Sequence, residues 1–120
     1  MDEKIRLPDK LLSRVSSAKN HISGHDHFRV ISHYDADGIS AAGIICNMLS
    51  REGKRFHATL VKSLNENIIR EAAPEGECLI LSDMGASYLT ELEKISCDAV
   101  VLDHHAPTGD SEKVIHVNPH

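Results

Sequence analysis

The stretch Phe28-Arg29-Val30-Ile31-Ser32-His33-Tyr34-Asp35-Ala36-Asp37-Gly38 decides the fold. Its first five residues read as a short strand, and Ala41, Ile44, Ile45, Met48 and Leu49 beyond it recur at helical spacing until Gly53 closes the helix. Strand and helix meet at residues 33–38, so His33, Asp35 and Asp37 stand where a strand hands over to a helix.

The same alternation continues on both sides. Upstream, Leu11, Leu12, Val15, Ala18 and Ile22 mark an amphipathic helix between Pro8, at a favoured entry position, and Gly24, a stop signal. Downstream, a strand is expected over 56–61. A helix then opens at the S-x-x-E capping box Ser63-Leu64-Asn65-Glu66 and is ended by Pro74. The apolar run 78–82, a short helix over 88–95, a second apolar run 99–102 and a last strand over 114–117 complete the pattern. Strands without polar faces, alternating with helices, imply βαβ units. The expected fold is α/β: a mostly parallel, Rossmann-like sheet of about five strands flanked by helices in three layers, with right-handed crossovers.

Composition sets the outer limits. A chain of 120 residues fits one domain, and with 3% aromatic residues and no Trp its core must be aliphatic. The net charge of −5 argues against a protein that grips nucleic acid mainly through a general positive field. Cys46, Cys78 and Cys97 are odd in number, lack CxxC spacing and fall in apolar stretches, so they read as free buried thiols of a reducing compartment. A polar N-terminus and the lack of a long apolar run point to a cytoplasmic protein without membrane contact.

In open parallel sheets, function gathers outside the carboxyl ends of the strands. Three of those ends carry acids or imidazoles: His33, Asp35 and Asp37; then Asp83; then Asp103, His104 and His105. Four carboxylates brought together repel unless cations neutralise them, and a carboxylate-rich set with a few imidazoles favours Mn²⁺ or Mg²⁺ over a zinc thiolate site. Two such ions about 3.5–4 Å apart are suited to hydrolysis at phosphorus. Taken singly, each motif has a plainer explanation. Asp83 and Asp37 could be turn or helix-cap residues. Asp35-x-Asp37 is not a calcium loop, because residues 33 and 44 are His and Ile rather than acids. His104-His105 lacks zinc-finger spacing. His21, His25, His27, His57, His116 and His120 share no spacing and receive no role.

Taken in order, residues 32–40, 81–85 and 102–105 resemble the first three motifs of the DHH phosphoesterases, and the wording of the first is most similar to archaeal RecJ-like single-strand nucleases. The resemblance implies that Asp35, Asp37, Asp83 and His104 ligate two Mn²⁺ or Mg²⁺ ions, with Asp83 bridging and His33 as an additional ligand or supporting group. It also implies that Asp103 holds the His104 imidazole in its ligating tautomer. His105 would contact the scissile phosphate, and water would attack phosphorus without a covalent enzyme intermediate.

By the same resemblance the substrate is single-stranded DNA or RNA, and replication-complex proteins such as GINS are partners by analogy. A fourth motif and a DHH-associated domain have no place within 120 residues. The chain is therefore expected to be the N-terminal part of a DHH domain, binding metal poorly and cleaving slowly or not at all by itself. Three other functions fit some of the residues. A DHH phosphodiesterase of short oligonucleotides or cyclic dinucleotides shares these motifs, as does a replication scaffold that has lost catalysis. Asp35-Ala36-Asp37-Gly38 is also similar to the nucleophile loop of haloacid-dehalogenase-like phosphatases, although Ile39 replaces the usual Thr and 103–105 go unexplained.

Overall fold

The computed structural model describes residues 8–72, 78–95, 97–107, 109, 111 and 113–118. Among them lie α1 (Asp9–Ser23), β1 (His27–His33), α2 (Ala36–Arg51), β2 (Arg55–Val61), α3 (Glu66–Ala72), β3 (Cys78–Ser82), α4 (Leu89–Glu93), β4 (Asp98–Leu102) and β5 (Ile115–Val117). The five strands form one wholly parallel sheet in the order β2-β1-β3-β4-β5. No helix among the described residues is long and apolar enough to cross a membrane.

Alternation along each strand sends side chains to two aliphatic cores. Phe28, Val30, Ile80 and Val100 meet Ala18 of α1 and Ile45 and Leu49 of α2 on one face. Ile31, Leu79, Leu81 and Val101 meet Ile69 of α3 and Leu89 and Leu92 of α4 on the other. All five residues of β3 are buried, as its uninterrupted apolar run requires. Edge strand β2 departs from expectation: although its sequence is largely apolar, most of it is exposed. Only α2 covers it closely among the described helices.

Two sequence expectations are corrected. The cap of α3 is Asn65, whose side-chain oxygen accepts from Ile68 N at 2.9 Å; the helix starts at Glu66, too late for a Ser63–Glu66 capping box. The short helix is confined to Leu89–Glu93 rather than 88–95. Pro74, the expected end of α3, lies outside the described residues. Gly53 closes α2 as expected, with φ of 72° in the left-handed region that glycine enters without penalty.

Gly38 has a different reason to be glycine. A Cβ there would lie 2.2 Å from the His33 carbonyl oxygen and 2.6 Å from the His33 Cβ, because the first turn of α2 is pressed against the end of β1. By contrast, a Cβ at Gly43 in the same helix meets nothing within 4 Å. Gly38→Ala is therefore predicted to lower stability by about 2–3 kcal/mol through forced backbone displacement. Gly43→Ala should raise it by about 0.5–1 kcal/mol through helix propensity. Urea unfolding of the two variants beside the parent chain checks both signs.

Candidate metal centre

From β1 the chain passes to β2 on one side of the sheet, and then through α3 to β3 on the other side of β1. The connections leave β1 and β3 in opposite directions, opening a crevice at their carboxyl ends. Ser32 and Ser82, paired across that seam, are both buried. The Ser32 hydroxyl reaches the carbonyl oxygens of Gly38 at 2.8 Å and Ser82 at 3.0 Å, joining β1, the first turn of α2 and β3 at one point. Sequence patterning missed this joint; the signal available was a small polar residue closing each of two adjacent apolar strands.

His33 ends β1, and Asp35 caps α2 by accepting from Gly38 N at 2.8 Å. Asp83 follows β3 directly. Its backbone N donates to Leu102 O at 2.8 Å, and its φ of 59° is the one positive value at a non-glycine among the described residues. Such a conformation costs about 1–3 kcal/mol and persists where surrounding structure enforces it. It turns a mostly buried carboxylate toward two imidazoles: His104 Nε2 lies 2.8 Å from Asp83 Oδ1, and His33 Nδ1 3.5 Å from Asp83 Oδ2.

Donor atoms converge in two groups, His33-Asp35-Asp83 and Asp83-Asp103-His104-His105, which share Asp83. Asp37 belongs to neither. It is exposed in the first turn of α2, where two residues along a helix amount to a rotation of about 200°. The donor set of the two groups is oxygen and imidazole nitrogen without thiolate, which suits a hard divalent cation.

Asp103 differs from the other carboxylates. Its Oδ1 accepts from His104 N at 2.7 Å, His105 N at 3.2 Å and His105 Nδ1 at 2.6 Å, while its Oδ2 accepts from Ala86 N at 3.0 Å. Burial alone would push its pKa up, but these donors more than offset that effect and hold it below the ordinary carboxylate value. The ring it orients is that of His105. His104 receives only a backbone contact from Asp103, so the expectation that Asp103 positions the His104 imidazole is corrected. The hydrogen bond to Asp103, and then its charge, raise the His105 pKa above 6.5, with smaller contributions from the charges of Asp83 and Asp35. Ala86, which anchors the other carboxylate oxygen, follows Gly85; there φ is 107°, and a Cβ would crowd Val101 and Leu81 at 3.1–3.2 Å.

An apolar groove of about 490 Å³ between α1 and α2, walled by Leu11, Val15, Ile44 and Ile45, opens onto Asp83 and His104. On the opposite rim of the sheet, His25 Nε2 meets Asp98 Oδ2 at 2.7 Å, so this imidazole belongs to a structural contact between the end of α1 and the start of β4.

Fold and site together define a doubly wound α/β domain with a carboxylate-imidazole centre at its topological switch point. The chain belongs to the DHH family: the family's N-terminal domain model matches residues 27–120. It is 38% identical to the uncharacterized protein MJ0831 of Methanocaldococcus jannaschii, an alignment that takes in 100% of this chain and 29% of that protein. Among solved structures it resembles RecJ in complex with Mn²⁺ from Thermus thermophilus, with a TM-score of 0.73 at 22% identity, covering 94% of this chain and 17% of that one. It also resembles exonuclease RecJ bound to manganese, with a TM-score of 0.76 at 20% identity, covering 98% and 33% respectively. These likenesses establish a RecJ-like fold. The chain thus spans about a third or less of each of these proteins.

The Asp103–His105 pair gives stability a definite pH dependence. Because the folded His105 pKa is raised, the pair's contribution is complete below about pH 6.5 and is lost as pH rises through the raised value; because that of Asp103 is lowered, it is also lost as pH falls through the depressed carboxylate value. With EDTA present, His105→Gln is predicted to unfold at lower urea than the parent at pH 6, and the gap should narrow as pH rises above neutrality. A gap that widens with pH would contradict the assignment.

Proposed function

We propose that this domain carries the metal-binding half of a phosphodiesterase active site, and that its reaction is RecJ-like hydrolysis of single-stranded DNA or RNA. The observation that supports this most strongly is the sharing of Asp83 by two donor groups in a DHH-family domain. One carboxylate common to two sites is the arrangement expected of a bridging ligand. His33 and Asp35 would complete the first site and His104 the second. Asp37, on the loop that carries Asp35, is proposed as a further ligand from the motif alone. Mn²⁺ or Mg²⁺ bound there would polarise a phosphoryl oxygen and activate water.

This chain's own residues do the remaining work. Asp83 and Asp35 hold negative charge at fixed positions. The imidazole of His105, whose proton affinity Asp103 raises, can in its protonated form donate to a phosphoryl oxygen as charge develops on it. The ordering of Asp103 by four N–H groups means that this donor is oriented before substrate arrives.

The test is degradation of a labelled single-stranded oligonucleotide with Mn²⁺, with Mg²⁺ and in EDTA. Cleavage is predicted only with metal. Asp83→Asn or His104→Ala should lower the rate at least about 100-fold by loss of bound ion, at little cost to the urea midpoint. Undiminished cleavage in EDTA, or by Asp83→Asn, would rule the mechanism out.

A further inference from the structure

The chain is poor in aromatic residues, with two Tyr, two Phe and no Trp, and the structure uses them very differently. Phe28 is fully buried, and Tyr88 packs on the core while its hydroxyl donates to Leu64 O at 2.9 Å. Phe56 lies on the edge strand. Tyr34 is 70% exposed, although it sits between His33 and Asp35, two members of one donor group. Its backbone is nevertheless fixed: Tyr34 N donates to Val61 O at 2.8 Å, carrying the β1–β2 ladder one step past the His33–Val61 pair. An uncovered side chain is therefore carried on a fixed backbone between two residues of one donor group.

Lys62 follows Val61 directly and is also exposed, so its side chain leaves the backbone one residue from the carbonyl that anchors Tyr34. The segment around it, residues 56–65, contains no Asp or Glu, in a chain whose net charge is −5. An exposed ring offers a face to any nucleobase regardless of sequence, and an adjacent cation suits the phosphate that follows it.

We infer that Tyr34 is a positioning residue that stacks on the base of the nucleotide adjoining the scissile phosphate, with Lys62 holding the neighbouring phosphate. The substrate class is then a nucleic-acid strand with an unpaired base beside the cleaved bond, rather than a simple phosphoester. This rests on the phosphodiesterase reading above, because that reading places the scissile phosphate at the metal centre.

The experiment is a fluorescence titration of single-stranded oligonucleotides carrying 2-aminopurine with the full chain in Mg²⁺. Tyr34→Phe should quench the probe and bind like the parent. Tyr34→Ala should bind about 5- to 150-fold more weakly, the range expected for one lost base-aromatic stack. An abasic nucleotide at the stacked position should make the parent and Tyr34→Ala equal, a result that a merely structural role would not give. Lys62→Ala should weaken all oligonucleotides alike and reduce the salt dependence by about one phosphate contact. Equal, Mg²⁺-dependent binding by the parent and Tyr34→Ala would overturn the stacking inference and leave phosphodiester hydrolysis standing. If no variant binds oligonucleotide while Mg²⁺-dependent cleavage of bis(p-nitrophenyl) phosphate persists, the nucleic-acid substrate falls and the metal chemistry remains. Absence of both would remove the inference and its foundation together.

Discussion

Everything at the candidate metal centre depends on the parting of the chain at the seam between β1 and β3. Two parallel strands hydrogen-bonded over five residue pairs, with crossovers departing in opposite directions, leave a crevice at one end that no helix closes among the described residues. The buried Ser32 hydroxyl fixes this seam, and the Gly38 contact with His33 brings the start of α2 onto it. With those two constraints satisfied, His33, Asp35 and Asp83 are placed by backbone geometry. The aliphatic cores on both faces matter to function because they hold the strand ends in register.

The crevice then has an electrostatic problem, and its carboxylates meet it in different ways. Asp103 is buried and stays charged because four N–H donors surround it, so it can act as a fixed counter-charge for His105. Asp35 spends part of its charge on the start of α2, where the helix dipole favours an anion. Asp83 is held in a left-handed backbone conformation and faces two imidazoles. The left-handed backbone and the concentrated charge fall on the residue common to both donor groups.

Much of this is legible in the sequence. The uninterrupted apolar runs at 78–82 and 99–102 suit strands buried on both faces, and their alternation with helices dictates a parallel sheet. The acids at their ends mark the crevice. What sequence does not carry is side-chain direction. Asp103 is expected to serve His104 and instead serves His105, because the turn after β4 aims the ring of residue 105 back at the carboxylate while offering only the backbone of residue 104. Asp37 is next but one to Asp35 in sequence and yet stands outside the donor groups, since helical rotation intervenes. The exposure of β2 is hidden for a related reason: an apolar composition does not say which strand lies at the edge of a sheet.

The proposed hydrolysis turns on Asp83 as a carboxylate that two ions would share. The most direct measurement is anomalous diffraction at the manganese absorption edge from crystals of the chain grown with Mn²⁺. Two peaks are predicted within coordination distance of Asp83, one beside His33 and Asp35 and the other beside His104. Manganese bound elsewhere with none at Asp83 would contradict the central claim.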